Sequence, residues 1–182
     1  VPTSANVVAR RQTTPLFGLG LIEAIPDATI LKGVRKTAVD GVLGKASMVT
    51  DVATKQSRVG RFGWKAQHAT LLSFSGDAYL NEMGITNRLF PTENAPNGNT
   101  SILKTLDKVA DPEDRPDANG RADIDRLTDF MRLMAPPPTQ TATASTTFGA
   151  KIFLDVGCTA CHTPFMTTGS SPVAALSSKT VW

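Results

Sequence analysis

Cysteine is nearly absent. The 182 residues hold two, Cys158 and Cys161, and a disulfide framework of a small secreted domain needs more, closing larger loops. Histidine is equally scarce, at His68 and His162. No apolar run is long enough for a bilayer. The longest, "PLFGLGLIEAI" at 15–25, falls well short of the ~20 residues a membrane helix needs, and Glu23 interrupts it. No dense basic block exists either. Nineteen Lys and Arg face sixteen Asp and Glu, and the net +3 is spread along the chain, which argues against nucleic-acid binding. A mildly basic surface instead suits an acidic redox partner. The N-terminal "VPTSANVVARRQTTP" lacks the charged start and apolar core of a secretory signal, and reads as mid-protein sequence. There is no internal repeat. Hydrophobic residues make up 41% of the chain, enough for one domain with a core and long surface segments.

What is present is mostly helical pattern. Leu16, Leu19, Ile22 and Ile25 recur at helical spacing up to Pro26, which ends one helix or starts another, and Gly33 closes the unit. Gly18 and Gly20 permit close packing there at a cost in helix propensity. Residues 34–60 have no period beyond a short strand around "ASMVTDV". A glycine-rich turn with Phe62 and Trp64 then leads into a helix over about 67–83. Leu71, Leu72, Phe74, Tyr79 and Leu80 give it an apolar side, Gly76 weakens its middle, and Gly84 stops it. Residues 91–120 form a loop with a short helix at "SILKTLDKV". Within it "DRPDANGRADID" resembles a calcium loop, but Arg115 and Arg126 would stand at its first and last ligand positions, so a solvated acidic loop is the better reading. Residues 121–135 are the clearest amphipathic helix, with Ile124, Leu127, Met131 and Met134 in one stripe, flanked by Phe130 and ended by "PPP". A threonine-rich linker follows. A last helix over about 145–156 turns Phe148, Ile152, Phe153 and Val156 one way and runs into Gly157.

That helix delivers "VGCTACHTP", residues 156–164. Cys158, Cys161 and His162 form C-x-x-C-H, the attachment motif of haem c. Two thioethers fix the porphyrin through its vinyl groups. The two-residue spacer matches the sulfurs to the ring edge, and the next residue lies under the iron as proximal ligand. A thioredoxin-type dithiol would sit at a strand-to-helix junction in an alternating β-α pattern, which this chain lacks. A zinc site would need a fourth ligand, and His68 is the sole remaining Cys or His, leaving a carboxylate as the other source. Haem c is therefore the expected cofactor, with His162 binding its iron.

The opposite face of the iron is open to several residues. Met166 follows His162 too closely to pass round a porphyrin. His68, Met48, Met83, Met131, Met134, a residue beyond Trp182, or none remain as sixth-ligand candidates. Met131 and Met134 lie on the amphipathic stripe and favour a core role, as does Met83 at a helix end. His68 at a helix start beside Trp64 favours a structural role. Phe62, Trp64 and Phe165 are candidates to pack on the porphyrin or assist electron transfer, with core packing the commoner use.

Five segments, in order, carry a resemblance. They are "LFGLGLIEAIPDATIL" (16–31), "GRFGWKAQ" (60–67), "EMGITNRLFP" (82–91), "DFMRLMAPP" (129–137) and "GCTACHTP" (157–164). The chain resembles the bacterial di-haem oxidoreductases, a peroxidase family also called thiol oxidoreductases and similar to di-haem cytochrome c peroxidases. The resemblance implies a mainly α protein with a cytochrome c-like helical haem domain and long irregular loops. It implies two C-x-x-C-H motifs, the first upstream of residue 1, and a methionine-bearing segment after the second. The chain would then be the central and C-terminal part of such a protein, cut at both ends. A partly ordered chain or a natural split subunit would give the same pattern. Residues 1–138 would be the inter-haem, central region, and 139–182 the start of the second haem domain. The family usually has an acid- and glycine-rich loop before "GRFGWKA"; here "VDGVLGKASMVTD" carries fewer acids, so a metal role for it loses support.

The expected function is a c-type haem unit with one covalently attached haem, transferring electrons within a di-haem oxidoreductase. Its partner is a second haem domain or a redox protein, and its place is the periplasm or the extracellular space. Peroxide reduction would belong to the complete two-haem assembly, one haem relaying an electron while the other meets peroxide. The rival is a monohaem electron-transfer cytochrome, or a haem-bearing subunit of a larger complex without catalysis of its own.

Overall fold

The apolar residues before Pro26 wind into a short helix, α1 (Leu19–Glu23), and Pro26, in extended conformation, opens the next, α2 (Asp27–Leu31). The computed structural model describes Val7, Val8, Arg10 and residues 12–182; part of the N-terminal stretch that lacks a signal layout therefore lies outside the described residues. An antiparallel pair follows, β1 (Met48–Thr50) with β2 (Ser57–Val59), Val49 facing Arg58. Next come α3 (Leu71–Met83), α4 (Leu103–Leu106), α5 (Asp123–Leu133) and α6 (Ala144–Asp155). A second small pair, β3 (Met166–Thr167) with β4 (Thr180–Val181), closes the chain. Six α-helices thus supply most of the regular structure among the described residues, joined by long loops. None is long and apolar enough to cross a membrane.

Packing centres on α1, α3 and α5. Phe62, Leu71 and Met131 are buried together, with Leu16, Leu19, Ile22, Phe74 and Leu127 against them. Gly20 makes the close approach of α1 to α5 physically possible. A Cβ there would stand 2.0 Å from the Arg132 carbonyl oxygen. Gly76 has a similar reason to lack a side chain, because the Phe90 ring and the Asn87 side chain lie 3.0–3.1 Å from where its Cβ would be. The glycine that weakens α3 by propensity is what lets the 85–90 turn pack on it. Asn87 holds that turn, donating from Nδ2 to the Gly76 carbonyl at 2.8 Å and accepting from the Leu89 and Phe90 amides.

Helix α3 starts four residues later than its apolar pattern predicts. Residues 67 and 68 lie outside the helix instead, His68 pairing with Phe62 through backbone hydrogen bonds. Thr70 is the N-cap and accepts from the Ser73 amide at 3.1 Å, while its hydroxyl donates to buried Asp51 at 2.8 Å. Gly84 ends the helix in the left-handed conformation. Helix α5 begins at Asp123 because buried Asp114, across the loop, accepts from the Asp123 and Ile124 amides at 2.7 and 3.0 Å. Asp117 accepts from the Asn119 and Arg121 amides and pairs with Arg126. Those backbone hydrogen bonds, Arg121 foremost, hold its carboxyl below the usual range. The acids of the calcium-like loop are thus engaged by protein donors.

Polar clamps join these elements. Glu23 of α1 accepts from the Leu71 amide at 2.8 Å and pairs with Arg132 of α5 at 2.7 Å. Asp27 takes the Arg58 guanidinium at 3.0 Å, the Val59 amide at 3.0 Å and the buried Arg61 guanidinium. Arg61 also donates to the Ile22, Glu23 and Ile25 carbonyls at the end of α1. Burial opposes the charge on Asp27. Hydrogen bonds from Arg58 and Val59 and the two guanidinium charges outweigh it, so its carboxyl lies below the ordinary 3.8.

Gly20→Ala is expected to cost about 3 kcal/mol, the upper end of what overpacking a tight contact costs, in urea denaturation. Asp27→Asn is expected to cost about 2–3 kcal/mol at pH 7, because buried Arg61 loses its counter-charge. A carboxyl depressed on folding stabilises above its unfolded pKa and ceases to do so as pH falls through the folded one. The gap between wild type and D27N in urea curves should therefore shrink below pH 3.8.

Candidate functional site

Helix α6 begins with a reciprocal cap, the Thr143 hydroxyl accepting from the Thr146 amide at 3.2 Å and the Thr146 hydroxyl from the Thr143 amide at 2.8 Å. It ends at Gly157, whose φ of 82° turns the chain into a 3-10 turn, Cys158–Ala160. The Cys158 carbonyl accepts from the Cys161 amide at 3.2 Å and the His162 amide at 2.9 Å. One tight turn therefore presents Cys158, Cys161 and His162 together. Both thiols are free, Cys158 half-buried and Cys161 exposed. The His162 ring is exposed, 6.0 Å from the Phe153 ring centroid.

The surroundings of this turn are apolar and uncovered. No residue of α6 is buried. Phe148, Leu154 and Val156 are 56–68% exposed, and Phe165 stands 5.4 Å from the Trp182 ring, itself 85% exposed. Charged side chains are few: Lys151 pairs with Asp155 on α6 itself. Such a surface suits a large flat apolar group that would serve as its core. The segment is tied to the helical core through Gly169, whose amide donates to the Ala24 carbonyl at 2.8 Å.

A cavity of about 430 Å³ opens beside the motif, between the end of α2 and the strand after His162. Thr163, Phe165 and Met166 line one wall and Lys32 and Arg35 the other. The Arg35 Nη1 atom is out of solvent and has no hydrogen-bond partner. Sequence reasoning missed this pair, since nothing around residues 32–35 marks a position that meets the C-terminal segment.

The sixth-ligand candidates are scattered. Met83 and Met131 line a separate cavity of about 620 Å³ beside Trp64 and Tyr79. Met131 is core, 3% exposed, and Met83 is 59% exposed. Met48 sits exposed in β1, and Met134 caps the end of α5. His68 is buried. Its Nδ1 lies 2.8 Å from the Ser73 hydroxyl, and its Nε2 faces the Asp77 carboxylate at 3.3 Å without hydrogen-bond geometry. It also meets the Phe74 ring edge-on at 6.1 Å. Of the aromatic candidates, Phe62 is buried against Phe74 at 6.4 Å, whereas Trp64 and Phe165 are more than half exposed. None of the five candidates lines the cavity beside the motif; Met166 does.

A family model described as "Di-haem oxidoreductase, putative peroxidase" matches residues 4–182. The chain belongs to the di-haem oxidoreductase family. Membership gives it a haem-related redox role. No curated protein and no solved structure gives a significant match.

One further group sits apart from the motif. Glu93, Asp111 and Glu113 place carboxylate oxygens within 4.8 Å of one another. Burial, then the charges of Asp111, Glu113 and Asp107, pushes the Glu93 carboxyl up. Thr86 satisfies part of this group, its hydroxyl donating to Asp111 and its amide to Glu113.

Burial separates the methionine candidates by stability. Met131→Ala is expected to cost about 2–4 kcal/mol, the range for a buried methionine, and Met83→Ala less than about 0.5 kcal/mol, as at an exposed site. Equilibrium unfolding of the two variants measures both.

Proposed function

We propose that the chain is a c-type haem unit that passes electrons within a di-haem oxidoreductase. The observation that carries this reading is the single exposed turn holding Cys158, Cys161 and His162, set among uncovered apolar side chains. In this reading Cys158 and Cys161 tether one haem c and His162 is the proximal ligand. Haem iron supplies one-electron redox chemistry when bound. The chain's own residues do the rest. Two thioethers fix the ring edge, and Gly157 and the 3-10 turn aim His162. Phe148, Leu154, Val156 and Phe165 exclude water from the ring, which would make residues 139–182 a cytochrome c-like helical haem domain. Residues 1–138 form the central region that docks against it. The mild positive charge suits an acidic redox partner or a second haem domain. Peroxide reduction is assigned to the two-haem assembly, and covalent haem attachment places it in the periplasm or outside the cell.

Expression with haem-attachment machinery is expected to give a Soret band that survives acid–acetone extraction and a pyridine haemochrome spectrum of the thioether type. Thiol titration of the denatured haem-loaded protein should find no free cysteine in this motif. Cys158→Ala and Cys161→Ala should each leave a single thioether, and His162→Ala should lose the proximal ligand. A protein from that host with two titratable thiols and no Soret band would overturn the reading.

A further inference from the structure

The cavity beside the motif holds two cations and, among the described residues, no carboxylate lines it. Arg35 is fixed there by its backbone, its amide donating to the Gly44 carbonyl at 3.0 Å. Neither Arg35 nor Lys32 belongs to an ion pair among the described residues, although ten such pairs engage other charged groups, four of them around Arg126 and Arg132. The Nη1 atom of Arg35 is buried without an acceptor. Leaving a buried donor unmatched costs about 1–3 kcal/mol, and Arg35 carries one such donor beside the cavity that the residue lines. The guanidinium is planar and forked, and its natural complement is a carboxylate taken by two parallel hydrogen bonds. The other wall begins at Thr163, immediately after His162, and runs to Thr167. The cavity wall thus begins one residue beyond the proposed proximal ligand.

We infer that Arg35, assisted by Lys32, is the anchor for a propionate carboxylate of the haem held at Cys158, Cys161 and His162. The inference rests on the haem reading above. A haem carries two propionates on the edge away from its vinyl groups, so the thioether edge and the carboxylate edge are held by different parts of the chain. The motif holds one edge. The turn after α2, more than 120 residues earlier in sequence, holds the other. Thr163 and Thr167 line the same cavity. Arg35 is a positioning residue here. It fixes the tilt of the ring, and its charge offsets that of the propionate, which favours the ferrous iron.

The test is a redox titration of the holoprotein and its Arg35→Gln, Arg35→Lys and Lys32→Gln variants in buffer free of phosphate and sulfate. Haem attachment is first verified for each by pyridine haemochrome. Arg35→Gln is expected to lower the ferrous-to-ferric ratio at fixed applied potential about tenfold, the effect of losing one charge-assisted contact near the iron. Arg35→Lys should recover part of that loss, and Lys32→Gln should shift the ratio the same way by less. The propionate bending bands in the resonance Raman spectrum should move in Arg35→Gln and stay in a distant control such as Lys151→Gln. Covalent haem with an unchanged potential and unchanged propionate bands in Arg35→Gln overturns the inference while leaving the haem reading intact. Wild type without covalent haem overturns both. If Arg35→Gln does not accumulate, Lys32→Gln decides, and an unshifted ratio there counts against the anchor. Added phosphate should leave the wild-type titration unchanged; a shift would place a dissolved anion at Arg35 and refute the propionate assignment.

Discussion

The core depends on one carboxylate that reads in sequence as an interruption. Glu23 breaks the apolar run of residues 15–25, yet its two oxygens satisfy the first amide of α3 and the guanidinium of Arg132 on α5. Three helices meet on this side chain. Asp27 repeats the device one turn on, binding Arg58, Arg61 and the Val59 amide, and Arg61 in turn stops α1 by taking its last carbonyls. With these helices only five residues long, propensity would not hold them. Tertiary polar contacts supply what short helices lack.

These clamps matter for the site because they fix the corner between α1 and α2. That corner receives the C-terminal segment at Ala24, through Gly169, and offers the cations of the turn after α2. The motif itself is local, made by a capped helix, a left-handed glycine and a 3-10 turn. Its surroundings are not local. The family shown by the match over residues 4–182 is accordingly recognisable from short separated segments, several of them lying at a contact. Gly20 sits where α1 touches α5, Asn87 and Phe90 pack on α3, and Arg132 grips Glu23.

Much of this was legible in advance. The break at Pro26, the strand near residue 48, the stop at Gly84, the short helix before residue 106 and both later helices follow from periodicity, caps and breakers. The C-x-x-C-H pattern at 158–162 is visible in the sequence because it spans only five residues, and the structure places them on one turn. What sequence reading lost was tertiary. The start of α3 moved because His68 pairs with Phe62, a contact that no helical period encodes. Asp114, read as part of a solvated acidic loop, is buried and caps a helix beginning nine residues later. Arg35 lay in a stretch without pattern, and only the fold brings it to the segment after His162. His68 looked like the first residue of a helix and instead sits in extended backbone with both ring nitrogens facing side chains of α3.

The bare apolar faces of α6 have a consequence for how the protein is made. The α1–α3–α5 core closes on its own side chains, whereas α6 and the turn after it have nothing of their own to close on. In the proposed reading, the haem-bearing segment is the last part of the chain to become solid. Its two thiols stay within reach of a ligating enzyme after the rest has folded, and the act of attachment supplies the missing interior.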